Sequence, residues 1–188
     1  MRAASGLGHT LIHEHPLLIS MTARKILLLG NPQLYKVSEE IEESELASLQ
    51  PIIQDLHDTM MAYRAKYETG RAIAAPQIGV IKRLIYMHID KPTVFINPVL
   101  KNLSDDMIKV WDDCMSFPDL LVRVLRHRSC SIDYRDEKWA QHTLDLVDGL
   151  SELLQHEYDH LNGTLAVSKA MDGYSFALRS QRHHLKNS

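Results

Sequence analysis

Gln155-His156-Glu157-Tyr158-Asp159-His160, followed by Leu161-Asn162-Gly163, is the stretch from which the rest of the chain is read. Two imidazoles four residues apart on a helix project from one face, a separation that lets both grip one divalent ion. Glu157 then stands beside any water that such an ion holds. Asp148 reads as an N-cap and Gly163 as a C-terminal stop, which gives a helix of about four turns. On a wheel of about 100° per residue, Leu150, Leu153, Leu154 and Leu161 form one stripe. Glu157 falls inside that stripe, and His156 and His160 lie along its edge. A carboxylate on an apolar face is costly unless paired, hydrogen-bonded or protonated, so Glu157 needs a function or a buried partner. Read alone, the same letters also describe two surface histidines beside a salt-bridged glutamate.

The segments leading to this helix read as strands. Residues 83–89 and 93–100 are rich in β-branched and aromatic side chains, with Asp90-Lys91-Pro92 as the turn between them. Further extended runs follow at 107–111, 120–125, 129–134 and 140–146. The expected fold is α+β: mostly antiparallel β-sheets packed around a central HExxH helix, with an additional N-terminal helix. That first helix shows at Leu49, Ile52, Ile53, Leu56, Met60, Tyr63 and Tyr67, with Pro51 in its first turn and Gly70 at its exit. Its Met and aromatic stripe reads as core. Ile26-Leu27-Leu28-Leu29 before Gly30-Asn31-Pro32 is a short apolar run ended by a turn.

Two other stretches carry candidate chemistry. Gly70-Arg71-Ala72-Ile73-Ala74-Ala75-Pro76-Gln77 has the small residues of a connector that approaches something closely, and the Gln77 amide suits a developing oxyanion. In Asp112-Asp113-Cys114-Met115-Ser116 a thiolate beside two carboxylates is disfavoured unless a cation compensates, and a metal is such a cation. Alone, Cys114 also reads as a small buried hydrophobe. An HExxH helix lacks a third ligand, however, and a catalytic site of this type uses three protein ligands with one open position. Cys130, inside a strand-like run, reads as structural, and His57, His127 and His142 read as solvated or satisfied structurally.

The whole chain of 188 residues suits one domain with a substantial core, and 45% hydrophobic with 24% charged residues is ordinary for a globular protein. A formal charge of −3 gives no general attraction to DNA or to an anionic membrane, and no apolar run approaches a membrane span. Two cysteines do not make a disulfide framework and suit a reducing compartment. Residues 1–20 lack the layout of a secretory signal and read as a disordered extension before Met21. Residues 21–172 read as the catalytic domain. Residues 173–188 read as a basic tail or solvated helix, with Arg179, Arg182, His183, His184 and Lys186, offering contact with an RNA-rich partner.

Taken together, the segments Gly70–Gln77, Asp112–Ser116 and Gln155–His160 resemble, in order, the three motifs of the peptide deformylases. The resemblance runs from about Ala23 to Ala170 and includes Phe95-Ile96-Asn97-Pro98 and Val124-Leu125-Arg126. It implies removal of the N-formyl group from the initiator methionine of new polypeptides, in a bacterial cytoplasm or an organelle, with ribosome contact assigned to the basic tail. It also implies one divalent metal, Fe²⁺ first, replaceable by Zn²⁺, Ni²⁺ or Co²⁺. Cys114, His156 and His160 match the metal ligands, Glu157 the general acid/base, and Gln77 with the Met115 N–H the oxyanion donors.

This chain departs from the family pattern in four places. Asp112-Asp113 stands where the family has Glu-Gly, Ala72 where it has a second Gly, and Arg71 where it has an apolar residue near the methionine pocket. Gly70, Arg71, Ala72 and Asp113 are therefore the expected substrate-binding positions. Asp112 is one methylene short of the family Glu, so its pair with Arg126 is expected to shift or loosen. Asp113 is expected to strain the backbone if its φ is positive. Two other readings accompany the first: an amidase with altered acyl or peptide preference, and an inactive member that binds peptide or ribosome.

Overall fold

The computed structural model describes residues 23–185; the expected extension at 1–20 lies outside them. Helix α1 (Leu46–Tyr67) begins after an acidic 3-10 turn, accommodates Pro51 in its second turn and ends at Glu68 in a left-handed conformation. Eight strands follow: β1 (Ala72–Ala74), β2 (Leu84–His88), β3 (Pro92–Lys101), β4 (Met107–Asp113), β5 (Leu120–His127), β6 (Ser129–Arg135), β7 (Gln141–Val147) and, after helix α2 (Asp148–Leu161), β8 (Phe176–Leu178). All pairings between these strands are antiparallel, in one sheet ordered β1-β2-β3-β6-β7 and another ordered β4-β5-β8.

Period-two alternation assigns each face of the larger sheet to a different helix. Ile73, Leu84, Tyr86, Val94 and Ile96 join Leu49, Leu56, Met60 and Tyr63 of α1 in one cluster. Their neighbours Ala72, Ala74, Ile85, Met87 and Phe95 join Leu153, Leu154 and Leu161 of α2 in another. A sheet covered on both faces explains why the runs at 84–87 and 94–96 are apolar without interruption. Helix α2 also contacts β5 of the smaller sheet, so it lies between the two sheets.

The register of β3 against β6 shifts between Ile96 and Val99. Asn97 sits there at φ 48°, and its amide both accepts from Ile41 N at 2.9 Å and donates to Ile41 O at 2.8 Å, fixing the incoming chain. The apolar run at 26–29 does not form a paired strand. Leu27 N donates to Gln77 O and Leu29 N to Ser116 O, both at 2.8 Å, so this segment ties two candidate site loops together.

Three local expectations need correction. Asp148 does not cap α2 from outside: it is the first helical residue, at φ 49°, and its carboxylate pairs with Arg128 at 2.9 Å. The connector after Gly70 contains strand β1, made by pairing with β2 rather than by local pattern. The tail is no solvated helix from its start: β8 pairs with β5, and a 3-10 turn (Arg179–His184) follows.

Gly163 ends α2 as expected, at φ 65°, and a Cβ there would lie 2.5 Å from Tyr35 O, a backbone atom with no room to yield. Gly163→Ala combines a left-handed strain with that clash, and is expected to cost about 2 kcal/mol or more of stability, read as a lower urea midpoint with the slope unchanged.

Candidate metal centre

Helix α2 brings His156 and His160 one turn apart to the end of β4, where Cys114 begins a turn. The three ligand atoms all lie within 4.8 Å of one another. His160 Nε2 is 3.3 Å from Cys114 Sγ and 3.2 Å from His156 Nε2, and all three residues are buried. His156 Nδ1 lies 2.8 Å from Asp112 Oδ1. This is a close ion-pair contact without hydrogen-bond alignment; a carboxylate on that side favours a proton on Nδ1, and His156 Nε2 faces His160.

Asp112 is itself held. Arg126, 1% exposed, places Nη2 2.7 Å from Asp112 Oδ2 and Nη1 against Asp159 of α2. The expected loosening of the Asp112–Arg126 pair does not occur; the shorter side chain spans both Arg126 and His156. Although burial works against the charge, His156 and Arg126 hold the Asp112 carboxyl well below the usual range.

Glu157 is 3% exposed, and its Oε2 has no hydrogen-bond partner among the described residues. Burial raises its carboxyl to about 7; His156 opposes that rise, while Asp112 and Glu152 add to it. An orphaned carboxylate oxygen beside two imidazoles and a thiol is a poor arrangement in itself and a good one around a cation that carries water. Gln77 is fixed at both ends of its amide. Its Oε1 accepts from Ala74 N at 2.9 Å, which turns Nε2 toward Cys114 Sγ at 3.5 Å and Ser116 Oγ at 3.3 Å. No described residue accepts a hydrogen bond from the Met115 N–H.

These groups open on a cavity of about 40 Å³, and Gly70, Arg71, Ala72 and Asp113 all border it. Gly70 has φ 125° and lies against the Met115 side chain, so a side chain there would be both strained and crowded. Ala72 packs its methyl into the apolar cluster under α2. Asp113 ends β4 without a positive φ, so the expected strain is absent.

Other bordering residues carried no sequence expectation for the site. Glu152 stands one turn before His156, a spacing that could have flagged it, and pairs with Arg71 at 3.2 Å. Tyr63, read as core, is core and also borders the cavity. Ser116, within the second motif, does not border the cavity and accepts from Gln77 Nε2 behind it. Among the residues read as structural, Cys130 is buried near Ser151 Oγ, His57 meets Tyr86 Oη, His127 meets Ser104 O and His142 meets Asp136.

Comparison with known proteins agrees with this geometry. The family model described as polypeptide deformylase matches residues 23–174. The chain belongs to that family. A peptide deformylase of Pseudothermotoga lettingae is 35% identical over 158 residues, covering 84% of this chain and 89% of the relative. One from Leptospira biflexa is 32% identical, covering 79% and 88%. Among solved structures, a peptide deformylase from Legionella pneumophila superposes with TM-score 0.72 at 33% identity, covering 78% of this chain and 85% of the other. One from Synechococcus elongatus in complex with actinonin gives TM-score 0.73 at 26% identity, covering 93% and 89%. The chain is accordingly a metal-dependent hydrolase that removes the N-formyl group from the N-terminal formylmethionine of newly made polypeptides. No helix among the described residues is long and apolar enough to cross a membrane.

The raised Glu157 carboxyl has a stability consequence in the metal-free protein. A group whose folded pKa exceeds its unfolded value loses its contribution as pH rises through the folded value, here about 7. Metal-free Glu157→Gln is therefore expected to gain on the wild type between pH 5 and pH 8, by up to about 3 kcal/mol, measured as paired urea unfolding curves at the two pH values.

Proposed function

We propose that Cys114 Sγ, His156 Nε2 and His160 Nε2 hold one divalent metal ion, with Fe²⁺ as the native ion and Zn²⁺, Ni²⁺ or Co²⁺ as substitutes. The observation that carries this reading is the convergence of three buried donors beside the unpartnered Glu157 oxygen. When bound, the ion supplies the Lewis acidity that makes a water acidic near neutral pH. Glu157 takes a proton from the attacking water and returns it to the leaving amine. Charge developing on the formyl oxygen is met by Gln77 Nε2 and by the Met115 N–H. Formate and a free amino terminus leave. Asp112 holds the His156 tautomer, and Arg126 holds Asp112.

The peptide enters along the border formed by Gly70, Arg71, Ala72 and Asp113. The partner is the formylated nascent chain, and the bacterial cytoplasm is its simplest setting, with an organelle as the other. Ribosome contact through the basic tail rests, among the described residues, on the exposed Arg182, His183 and His184.

In this mechanism Glu157→Gln keeps its metal and loses at least about a hundredfold in kcat. Cys114→Ala loses metal instead. Metal content and formate release from a formyl-Met peptide, measured together on anaerobic preparations, check both; unchanged turnover in the first or stoichiometric tight binding in the second removes that residue from its role.

A specific observation also favours an altered side-chain preference: the Arg71–Glu152 ion pair brings charge to the cavity border where an apolar side chain must enter. Replacing both by leucine is expected to raise kcat/KM for formyl-norleucyl relative to formyl-glutaminyl peptides by about tenfold, read from competition between the two substrates. An unchanged ratio retires this preference and leaves the deformylase reading intact.

A further inference from the structure

Asp113 precedes Cys114 and borders the cavity, where an unpaired carboxylate would disfavour the neighbouring thiolate. Its partner comes from far along the chain. Arg179 Nη2 lies 2.9 Å from Asp113 Oδ2, and Thr69 Oγ1 approaches the same oxygen at 3.5 Å. Arg179 does more than neutralise. Its Nε donates to Pro118 O at 2.6 Å and its backbone N to Asp119 O at 2.9 Å. One residue therefore binds the chain on both sides of Cys114-Met115-Ser116-Phe117, the turn closed by Phe117 N donating to Cys114 O at 3.1 Å.

The placement of Arg179 is set by the sheet. Strand β8 pairs Leu178 with Leu120, Ala177 with Leu121 and Phe176 with Val122, which delivers Arg179 to Pro118 and Asp119 at the base of the turn. The ion pair is only partly exposed, 22% and 32% for the two side chains. A lone pair of that exposure is worth little. A guanidinium that bridges a carboxylate and a carbonyl five residues apart restricts the loop between them, because its planar fork fixes both directions at once.

We propose that Arg179 is a positioning residue that staples the Cys114 turn across its base, so that the thiolate and the Met115 N–H keep their places. It acts through Asp113 and Pro118. Asp113 and Arg179 form one device: glycine at 113 would offer the guanidinium nothing to hold, and Asp113 alone would leave a charge beside the thiol. The inference rests on the proposed roles of Cys114 and Met115.

The test uses the full chain with Arg179→Gln, Arg179→Lys, Asp113→Asn and the Asp113→Asn/Arg179→Gln double variant. Three quantities are read: the alkylation rate of Cys114 in metal-free protein, resolved from Cys130 by peptide mass; the rate at which a chelator strips Co²⁺ from loaded protein; and kcat and KM for formate release. Arg179→Gln is expected to speed Co²⁺ loss at least about fivefold and to lower kcat about tenfold with KM within about twofold, and the double variant, which leaves no unpaired carboxylate beside the thiol, is expected to speed alkylation by at least about fivefold as well. Arg179→Lys should recover most of this, and the double variant should lose no more Co²⁺ retention or kcat than Arg179→Gln alone, because Asp113 acts only through Arg179. Rates within twofold of wild type, or losses that add independently in the double variant, overturn the staple. If Arg179→Gln does not fold, Asp113→Asn, which weakens only the Asp113 arm and leaves both bonds to residues 118 and 119 in place, is read on Co²⁺ loss and kcat, with the same direction expected and rates within twofold of wild type overturning the staple. Faster alkylation and Co²⁺ loss in a protein whose wild type releases no formate would sink the deformylase mechanism and keep the staple; normal formate release with unchanged rates would do the reverse.

Discussion

Arg126 is the charge on which the site depends. It is buried on β5 with one arm on Asp112 at the end of β4 and the other on Asp159 of α2. A guanidinium removed from water is costly, and its cost is offset only if both carboxylates stay in place. That requirement fixes the distance between the smaller sheet and the helix more tightly than apolar contact could, since apolar contact is not directional. Asp112 then spends its second oxygen on His156 Nδ1. The orientation of a proposed ligand is thus inherited from an ion pair one shell behind it. Lys169 also reaches Asp159, at 2.7 Å, so the far end of the network is tied to the segment that follows α2.

The division of labour between the sheets follows. The larger sheet has α1 on one face and α2 on the other, and it contributes Gln77 through the turn after β1. The smaller sheet contributes Cys114 at the end of β4. Helix α2 supplies the histidines and Glu157, so the donors come from three separately anchored elements. Rigid anchoring of that kind lets an orphaned Glu157 oxygen and two facing imidazole nitrogens persist together, because no local rearrangement can relax one without breaking a sheet or the Arg126 network. Leu27 and Leu29, hydrogen-bonded to Gln77 O and Ser116 O, close the remaining gap between the two sides.

Much of this was legible from residue order alone, and what was not has a common cause. Helix α2, helix α1 and strands β2 to β7 announce themselves because their apolar periodicity is local and long. Strands β1 and β8 have three residues each and exist only through pairing with β2 and β5, so no window around them carries a pattern. The three side chains that converge could be singled out because three motifs fell in family order, and Glu152 was available from its spacing to His156. Arg179 was not. A basic residue in a basic tail has the same letters whether it faces water or Asp113, 66 positions earlier. Asp148 failed for a related reason: its carboxylate found Arg128 instead of the helix end, a choice decided by where β6 begins.

The departures from the family pattern also fit a physical order. With aspartate at 112 the Arg126 pair stands at 2.7 Å, and the same carboxylate meets His156 with its other oxygen. Ala72 adds a methyl on the face of β1 turned toward α2, where Leu153, Leu154 and Phe95 supply apolar neighbours, so it adds packing under the helix. Asp113 is the larger change, since it adds a charge and occurs at the cavity. The chain meets it with a cation from a different element, and that cation is usable only because β8 extends the smaller sheet by one strand. Asp113 beside the proposed ligand and the edge strand β8 are thus joined through Arg179.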